Sequence, residues 1–283
     1  MNHPLPRTDL AVEAHSVRNR DARLEGVTVS ESDRAGFHLT TVEVHSPDAS
    51  HKLCKPIGTY HTVTLEPVIR REEASFSAAA SLLSEILQEM LPNTEDFSAL
   101  VVGLGNRAIT PDAVGPKAME SVLATRHLRQ QMAQTFSDFR SVSVLSPGVL
   151  GNTGVEAGEM VQALAQDLSP GVILAVDALA CSEPERLCRT VQITDTGITP
   201  GSGVGNHRAA LDRNALGVPV IALGIPTVMD IRTLSDSPSL DGMFVTPRDI
   251  DTVVSDFSKL VGYTIDLALH PGLTIADLDL FLS

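Results

Sequence analysis

The sequence predicts an α/β protein: a mostly parallel central sheet flanked by helices, with a small antiparallel β section near the amino terminus. Three observations carry this. The runs ALVVGL, GVILAVDAL and PVIALGIP are short, continuously apolar and bounded by breakers, as strands buried on both faces are. Segments with helical apolar spacing alternate with them, the pattern of a parallel sheet with right-handed crossovers. Before residue 70, apolar and polar residues instead alternate one by one.

Taken in order, residues 1 to about 16 are polar and proline-bearing, without a clear period. GVTVSESD, FHLTTVEVH and TYHTVTLEP alternate as half-buried antiparallel strands do. Arg71 to Leu91 has helical spacing and strong helix formers, and Pro92 stops it. ALVVGL is the first buried strand, and DAVGPKAMESVLATRHLRQQM reads as one helix after it. SVSVLSP is a strand, VEAGEMVQALAQDL a helix, and GVILAVDAL the second buried strand. VQITDTGI alternates, PVIALGIP is buried, and a long helix over PRDIDTVVSDFSKLVGYTIDLALH follows. No internal repeat interrupts the series. A length of 283 residues suits one main domain with additions.

The composition is 43% hydrophobic but only 4% aromatic, with no tryptophan, so aliphatic side chains must fill the core. A formal net charge of -14 repels phosphate backbones, so direct nucleic-acid binding is not expected, whereas a basic protein partner would be attracted. Cys54, Cys181 and Cys188 form neither a zinc pattern nor a disulfide framework. Cys181 and Cys188 read as buried thiols in a partly helical segment, and the set fits a reducing cytoplasm. No run approaches the roughly 18 apolar residues of a membrane span. MNHPLPRTDLAVEAH lacks an apolar signal core, so a soluble protein inside a cell is expected.

Functional groups in open α/β sheets collect past the carboxyl ends of strands. Two buried strands are followed there by an acid: Asp112 in VVGLGNRAITPD and Asp177 in VILAVDAL. A carboxylate at the end of an apolar strand is poorly solvated unless something meets it. Two such acids brought together share one proton, and the ionised partner can then activate water. The same two acids could instead hold a divalent cation. Asp112 could also cap a helix, and Asp177 could accept backbone N–H groups in a purely structural role.

GLGN resembles half of a dinucleotide fingerprint, but its third glycine is misplaced. GITPGSGVGNHR, Gly197 to Arg208, could be an anion-binding nest, a lid or a turn. Within it Gly201, Asn206 and His207 are candidate supporting residues, as is Asn106 in the first loop. A non-catalytic nucleotide- or anion-binding module is therefore a further reading. No HExxH pattern and no nucleophile elbow is present.

RTDLAVEAH, VVGLGNRAITPDAVGPKA, VDALAC, ITDTGITPGSGVGN, LGIPTVMD and FVTPRDID, in this order, resemble the germination proteases of spore-forming bacteria. The resemblance implies an atypical aspartic endopeptidase without a cofactor, whose fold is similar to that of the hydrogenase-maturation endopeptidases. Its substrates would be small acid-soluble spore proteins, degraded in the spore core during germination. The family's catalytic aspartates match Asp112 and Asp177. A zymogen that removes its own amino-terminal segment is implied, with the Asp9–Leu10 bond as processing site. Residues 1–9 would then be the propeptide and 10–283 a single peptidase domain, with 10–70 its antiparallel section. A homotetramer is implied as well. Some members carry several dozen residues where IRTLSDSPSLDGM stands here.

Overall fold

The computed structural model describes residues 7–18, 24–94, 96–205, 208–234, 240 and 242–282. The sheet has nine strands: β1 Val27–Arg34, β2 Phe37–Val44, β3 Gly58–Thr64, β4 Ala99–Gly103, β5 Val142–Leu145, β6 Val172–Cys181, β7 Thr190–Thr194, β8 Val220–Asp230 and β9 Phe244–Val245. Their spatial order is β1-β2-β3-β7-β8-β6-β4-β5, and β9 pairs with the far end of β8. The half built from β8, β6, β4 and β5 is parallel, as its uninterrupted apolar runs require. The alternating strands β1, β2 and β3 are antiparallel and join the same sheet through β7, which is antiparallel to both β3 and β8. Ala35 and Gly36, both at positive φ (50° and 83°), form the two-residue turn between β1 and β2.

Helices cover both faces. On one, Ser75–Met90 and Ile250–Leu269 pack together over Val101, Leu174, Val176, Ile193 and Leu223 in the main core. The other face carries two smaller cores. Ala157–Leu168 covers Leu100, Val102, Ile173 and Ala175. Ala11–Arg18 covers Val42, Tyr60, Leu179 and Cys181. Alternation along β6 puts Ile173, Ala175, Asp177, Leu179 and Cys181 on this face. Asp177 therefore falls in the seam between the two smaller cores.

Three expectations are corrected. The amino-terminal stretch holds a helix, Ala11–Arg18, where no period was legible. Its eight residues are too few to show one. The expected single helix from Asp112 to Met132 is broken into Thr110–Asp112, Val114–Ala118, Met119–Ser121 and Arg126–Gln131. Gly115 and Pro116 sit in the second piece, which presses on the sheet. A β-carbon at Gly115 would lie 2.2 Å from the Leu104 carbonyl oxygen and 2.5 Å from that of Val176. Finally, Cys181 closes β6 rather than entering a helix, although Cys181 and Cys188 are both buried thiols.

Candidate active site

Asp112 ends the short turn Thr110–Asp112 that follows β4. Its Oδ2 accepts a hydrogen bond from the Asn106 backbone N–H at 2.8 Å. Gly105, at φ 116°, permits this, because a β-carbon there would stand 2.1 Å from the Asp112 carbonyl oxygen. The Val114–Ala118 helix is preceded by Ala113, so Asp112 is not its cap. Two side chains brace the turn: Thr227 Oγ1 donates to the Pro111 carbonyl at 2.6 Å, and Thr110 Oγ1 donates to Asp251 Oδ1 at 2.9 Å. Thr227 is the extra residue where the β6–β8 register shifts. A bulge beside a site that needs one side chain re-aimed is a common use of that irregularity. Asn106 Oδ1 accepts from the Ala108 N–H at 3.0 Å, so this residue does tie its own loop.

Asp177 lies inside β6, not at its end, because β6 continues along β8 as far as Cys181. Its other neighbour explains the sequence signal. The last β4–β6 pair is Gly103 with Val176, so Asp177 emerges where β4 turns away. Across the sheet Asp177 is level with Gly224 of β8 and then Gln192 of β7. Asp177 is only 5% exposed, and its Oδ1 accepts from the Ala178 N–H at 2.9 Å.

The chain's own amino-terminal segment occupies this seam. The Asp9 N–H donates to the Ala180 carbonyl at 2.9 Å, and Asp9 Oδ2 accepts from the Ala180 N–H at 2.8 Å. Asp9 Oδ1 accepts from Ser202 Oγ at 2.7 Å. The Asp9 carbonyl accepts from Lys55 Nζ at 2.7 Å and from Gln192 Nε2 at 3.3 Å. Leu10 is fully buried. The glycine-rich loop closes over Asp9, and a β-carbon on Gly203 would sit 2.0 Å from Asp9 Oδ2. Behind the segment, buried Glu13 accepts from the Ser182 N–H (2.7 Å), Ser182 Oγ (2.9 Å), the Glu183 N–H (3.0 Å) and Thr8 Oγ1. Glu13 thereby fastens the Ala11–Arg18 helix to the end of β6.

Asp9, Asp112 and Asp177 line one cavity of about 380 Å³, together with Gly201 and Arg208. An adjoining cavity of about 280 Å³ shares Asp9 and Asp177 and adds Lys55, Gln192 and Ser202. Burial raises the Asp112 carboxyl above the usual range, against the Asn106 N–H and the Arg208 charge. Asp177 is raised well above it, first by burial and then by the negative charge of Asp112. The charge of Asp112 thus reaches Asp177. Burial lowers the Lys55 ammonium, opposed by the charges of Asp9 and Glu13. Burial likewise raises Glu13.

Of the residues singled out from sequence, Asp9, Asp112, Asp177 and Gly201 meet here, Leu10 is buried beside them, and Asn106 holds Asp112. Asn206 and His207 lie outside the described residues. Sequence reasoning missed Lys55, Gln192, Ser202, Arg208 and Glu13. Among the described residues, no group of three or more His, Cys, Asp or Glu side chains is placed to hold a metal ion. The arrangement is suited to proton transfer between two carboxyls beside a peptide carbonyl held by donors.

Residues 6–241 match the family model described as germination protease. A germination protease of Clostridium perfringens is 33% identical over 98% of this chain and 99% of its own length. That of Caldanaerobacter subterraneus subsp. tengcongensis is 35% identical over 95% of each. That of Priestia megaterium is 42% identical over 89% of this chain and 68% of its own. Among solved structures, a NiFe hydrogenase maturation protease from Thermococcus kodakarensis is similar at 16% identity, covering 64% of this chain and 98% of its own, with a TM-score of 0.38. The chain belongs to the germination protease family, and it is an endopeptidase of spore germination.

Proposed function

We propose that Asp112 and Asp177 are the catalytic pair of an aspartic-type mechanism, and that the enzyme first cuts its own Asp9–Leu10 bond. The observation that supports this most is that Asp9 lines one cavity with both carboxyls and is itself held by a set of hydrogen-bond donors. The proton of the pair belongs on Asp177, which is the deeper acid and is raised by the charge of its partner. Asp112, held by the Asn106 N–H and near the Arg208 cation, is the ionised base. It takes a proton from water as the water oxygen attacks the Asp9 carbonyl carbon. Asp177 then supplies the proton that the departing Leu10 amine requires.

After processing, the same seam takes substrate segments in which an acid precedes an apolar residue, as in Asp9–Leu10. The resemblance assigns these to small acid-soluble spore proteins in the spore core. Such substrates bind DNA by their own chemistry, so the acidic enzyme has no need to. No helix among the described residues is long and apolar enough to cross a membrane. The assembly carried over from the family is a homotetramer.

The test is mass spectrometry of purified full-length chain after incubation in mild acid. Wild type yields a new amino terminus at Leu10, whereas Asp112→Asn and Asp177→Asn yield none while melting cooperatively. An Asn variant that processes at the wild-type rate refutes the paired mechanism. Wild-type cleavage at a bond other than Asp9–Leu10 refutes the site.

A further inference from the structure

We propose that Lys55 and Gln192 are the oxyanion-stabilising residues of this protease, holding the scissile carbonyl by its oxygen. The inference rests on Asp9–Leu10 being the processed bond.

Three observations carry it. First, Lys55 Nζ donates to the Asp9 carbonyl oxygen at 2.7 Å, the length of a charge-assisted bond, and reaches the Thr8 carbonyl at 3.2 Å. Second, Gln192 straddles the bond. Its Nε2 donates to the Asp9 carbonyl at 3.3 Å, while its Oε1 accepts the Ala11 N–H at 2.9 Å. The second contact fixes which way the amide faces, so the Nε2 donor stays aimed at the carbonyl. Third, both residues line the cavity that Asp9 and Asp177 share.

The local fold explains why these two side chains stand ready. The Pro47–Leu53 helix ends at Cys54 in the left-handed conformation (φ 54°), and Pro56 prevents its continuation. The chain reverses there and turns Lys55 toward the seam. Gln192 is 5% exposed in β7, level with Gly224 and Asp177, and Gly224 is glycine because the Leu179 side chain packs over it, 2.5 Å from where a β-carbon would stand.

When water attacks the Asp9 carbonyl carbon, the C=O π pair moves onto oxygen, where Lys55 and Gln192 already point. On collapse that pair re-forms the carbonyl and the C–N bond to Leu10 breaks. Donors fixed where charge develops need no reorganisation during the reaction. A pair of acids that shares one proton can then spend it on the leaving nitrogen rather than on the carbonyl oxygen.

The test compares the first-order rate at which the Leu10 amino terminus appears in full-length wild type, Lys55→Met, Lys55→Arg and Gln192→Leu, alongside thermal melting. Loss of one such donor is expected to slow the reaction about 100-fold or more in Lys55→Met and about tenfold in Gln192→Leu. Lys55→Arg, which keeps the charge, recovers part of the rate. Melting temperatures change by only a few degrees, so the loss is not one of folding. Processing within threefold of wild type in folded Lys55→Met overturns the inference and leaves the aspartate mechanism standing. If Lys55→Met does not fold, an unchanged rate in Gln192→Leu overturns it. Wild type that never yields Leu10 overturns this inference together with the processing site.

Discussion

Ser202 Oγ donates to Asp9 Oδ1 at 2.7 Å, so the glycine-rich loop grips an acid of the same chain from across the molecule. From sequence alone the loop is open to reading as an anion nest, a lid or a turn. Its occupant is the Asp9 carboxylate, and Gly203 is glycine because that carboxylate leaves no room for a β-carbon. Ser202→Ala removes one hydrogen bond to a charged group, about 1.5–3 kcal/mol. Self-processing is expected to slow by about tenfold or more, since about 1.4 kcal/mol is one decade. Gly203→Ala is expected to block processing by displacing Asp9. Time courses of Leu10 appearance check both, and a Gly203→Ala protein that processes normally would show that Asp9 is not held here during cleavage.

The anchor behind the segment makes a separate prediction. Glu13 is fully buried and accepts from two backbone N–H groups and two hydroxyls. Glu13→Ala strands the Ser182 and Glu183 N–H groups, so a loss of about 3 kcal/mol or more is expected in urea unfolding. Glu13→Gln keeps one acceptor oxygen and is expected to lose less. Equal stability of Glu13→Ala and wild type would mean that the Ala11–Arg18 helix is not docked on β6.

Legibility followed the range of the interactions. Asp112 and Asp177 stand out in the sequence because each follows a continuous apolar run, a local signal that survives in one dimension. The layered α/β plan was legible for the same reason. Lys55, in a tight turn, and Gln192, in an interior strand, carry no such mark. Only the pairing β7-β8-β6 brings Gln192 level with Asp177, and Lys55 joins it only at the Asp9 carbonyl. Ser202 could not be told from any serine in a glycine-rich turn until Asp9 was seen against it. The breaking of this stretch into short pieces was hidden because Lys117, Ala118, Met119 and Glu120 are helix formers, whereas Gly115 presses on the Leu104 and Val176 carbonyls of other segments.

Buried Asp266 should take stability away as pH rises above about 4, opposed over the lower part of the range by His270, whose imidazole burial lowers to about 4. Asp266, buried in the Ile250–Leu269 helix, accepts the Leu123 N–H with both oxygens (3.0 and 3.2 Å). Burial pushes its carboxyl up to about 8, and Glu13, Asp112 and Asp177 are raised as well. An unfolded aspartate titrates near about 4. For Asp266, between about 4 and about 8, the native state holds a proton that the unfolded state has released. Each such group removes up to about 1.4 kcal/mol per pH unit over its window. Asp266→Asn, which can still accept from Leu123, is expected to flatten this slope and to melt higher than wild type at pH 8. A gap in stability between Asp266→Asn and wild type that does not widen in favour of the variant from pH 4 to 8 would contradict the sign.

Arg208 gives the sharpest check on how charge is arranged around the pair. It lines the cavity with Asp112 and Asp177, and its cation lowers both carboxyls against the larger effect of burial. The proposed mechanism needs Asp112 ionised and Asp177 protonated, so the processing rate against pH should be bell-shaped. The acid limb follows ionisation of the pair's base, and the alkaline limb follows loss of the retained proton. Removing the cation disfavours both carboxylates, so Arg208→Ala is expected to carry both limbs to higher pH. Arg208→Lys, which keeps the charge, should leave the profile nearly in place. Rates of Leu10 appearance across the pH range read this directly. A shift of the Arg208→Ala profile toward acid would mean that Arg208 does not act on the pair through its charge.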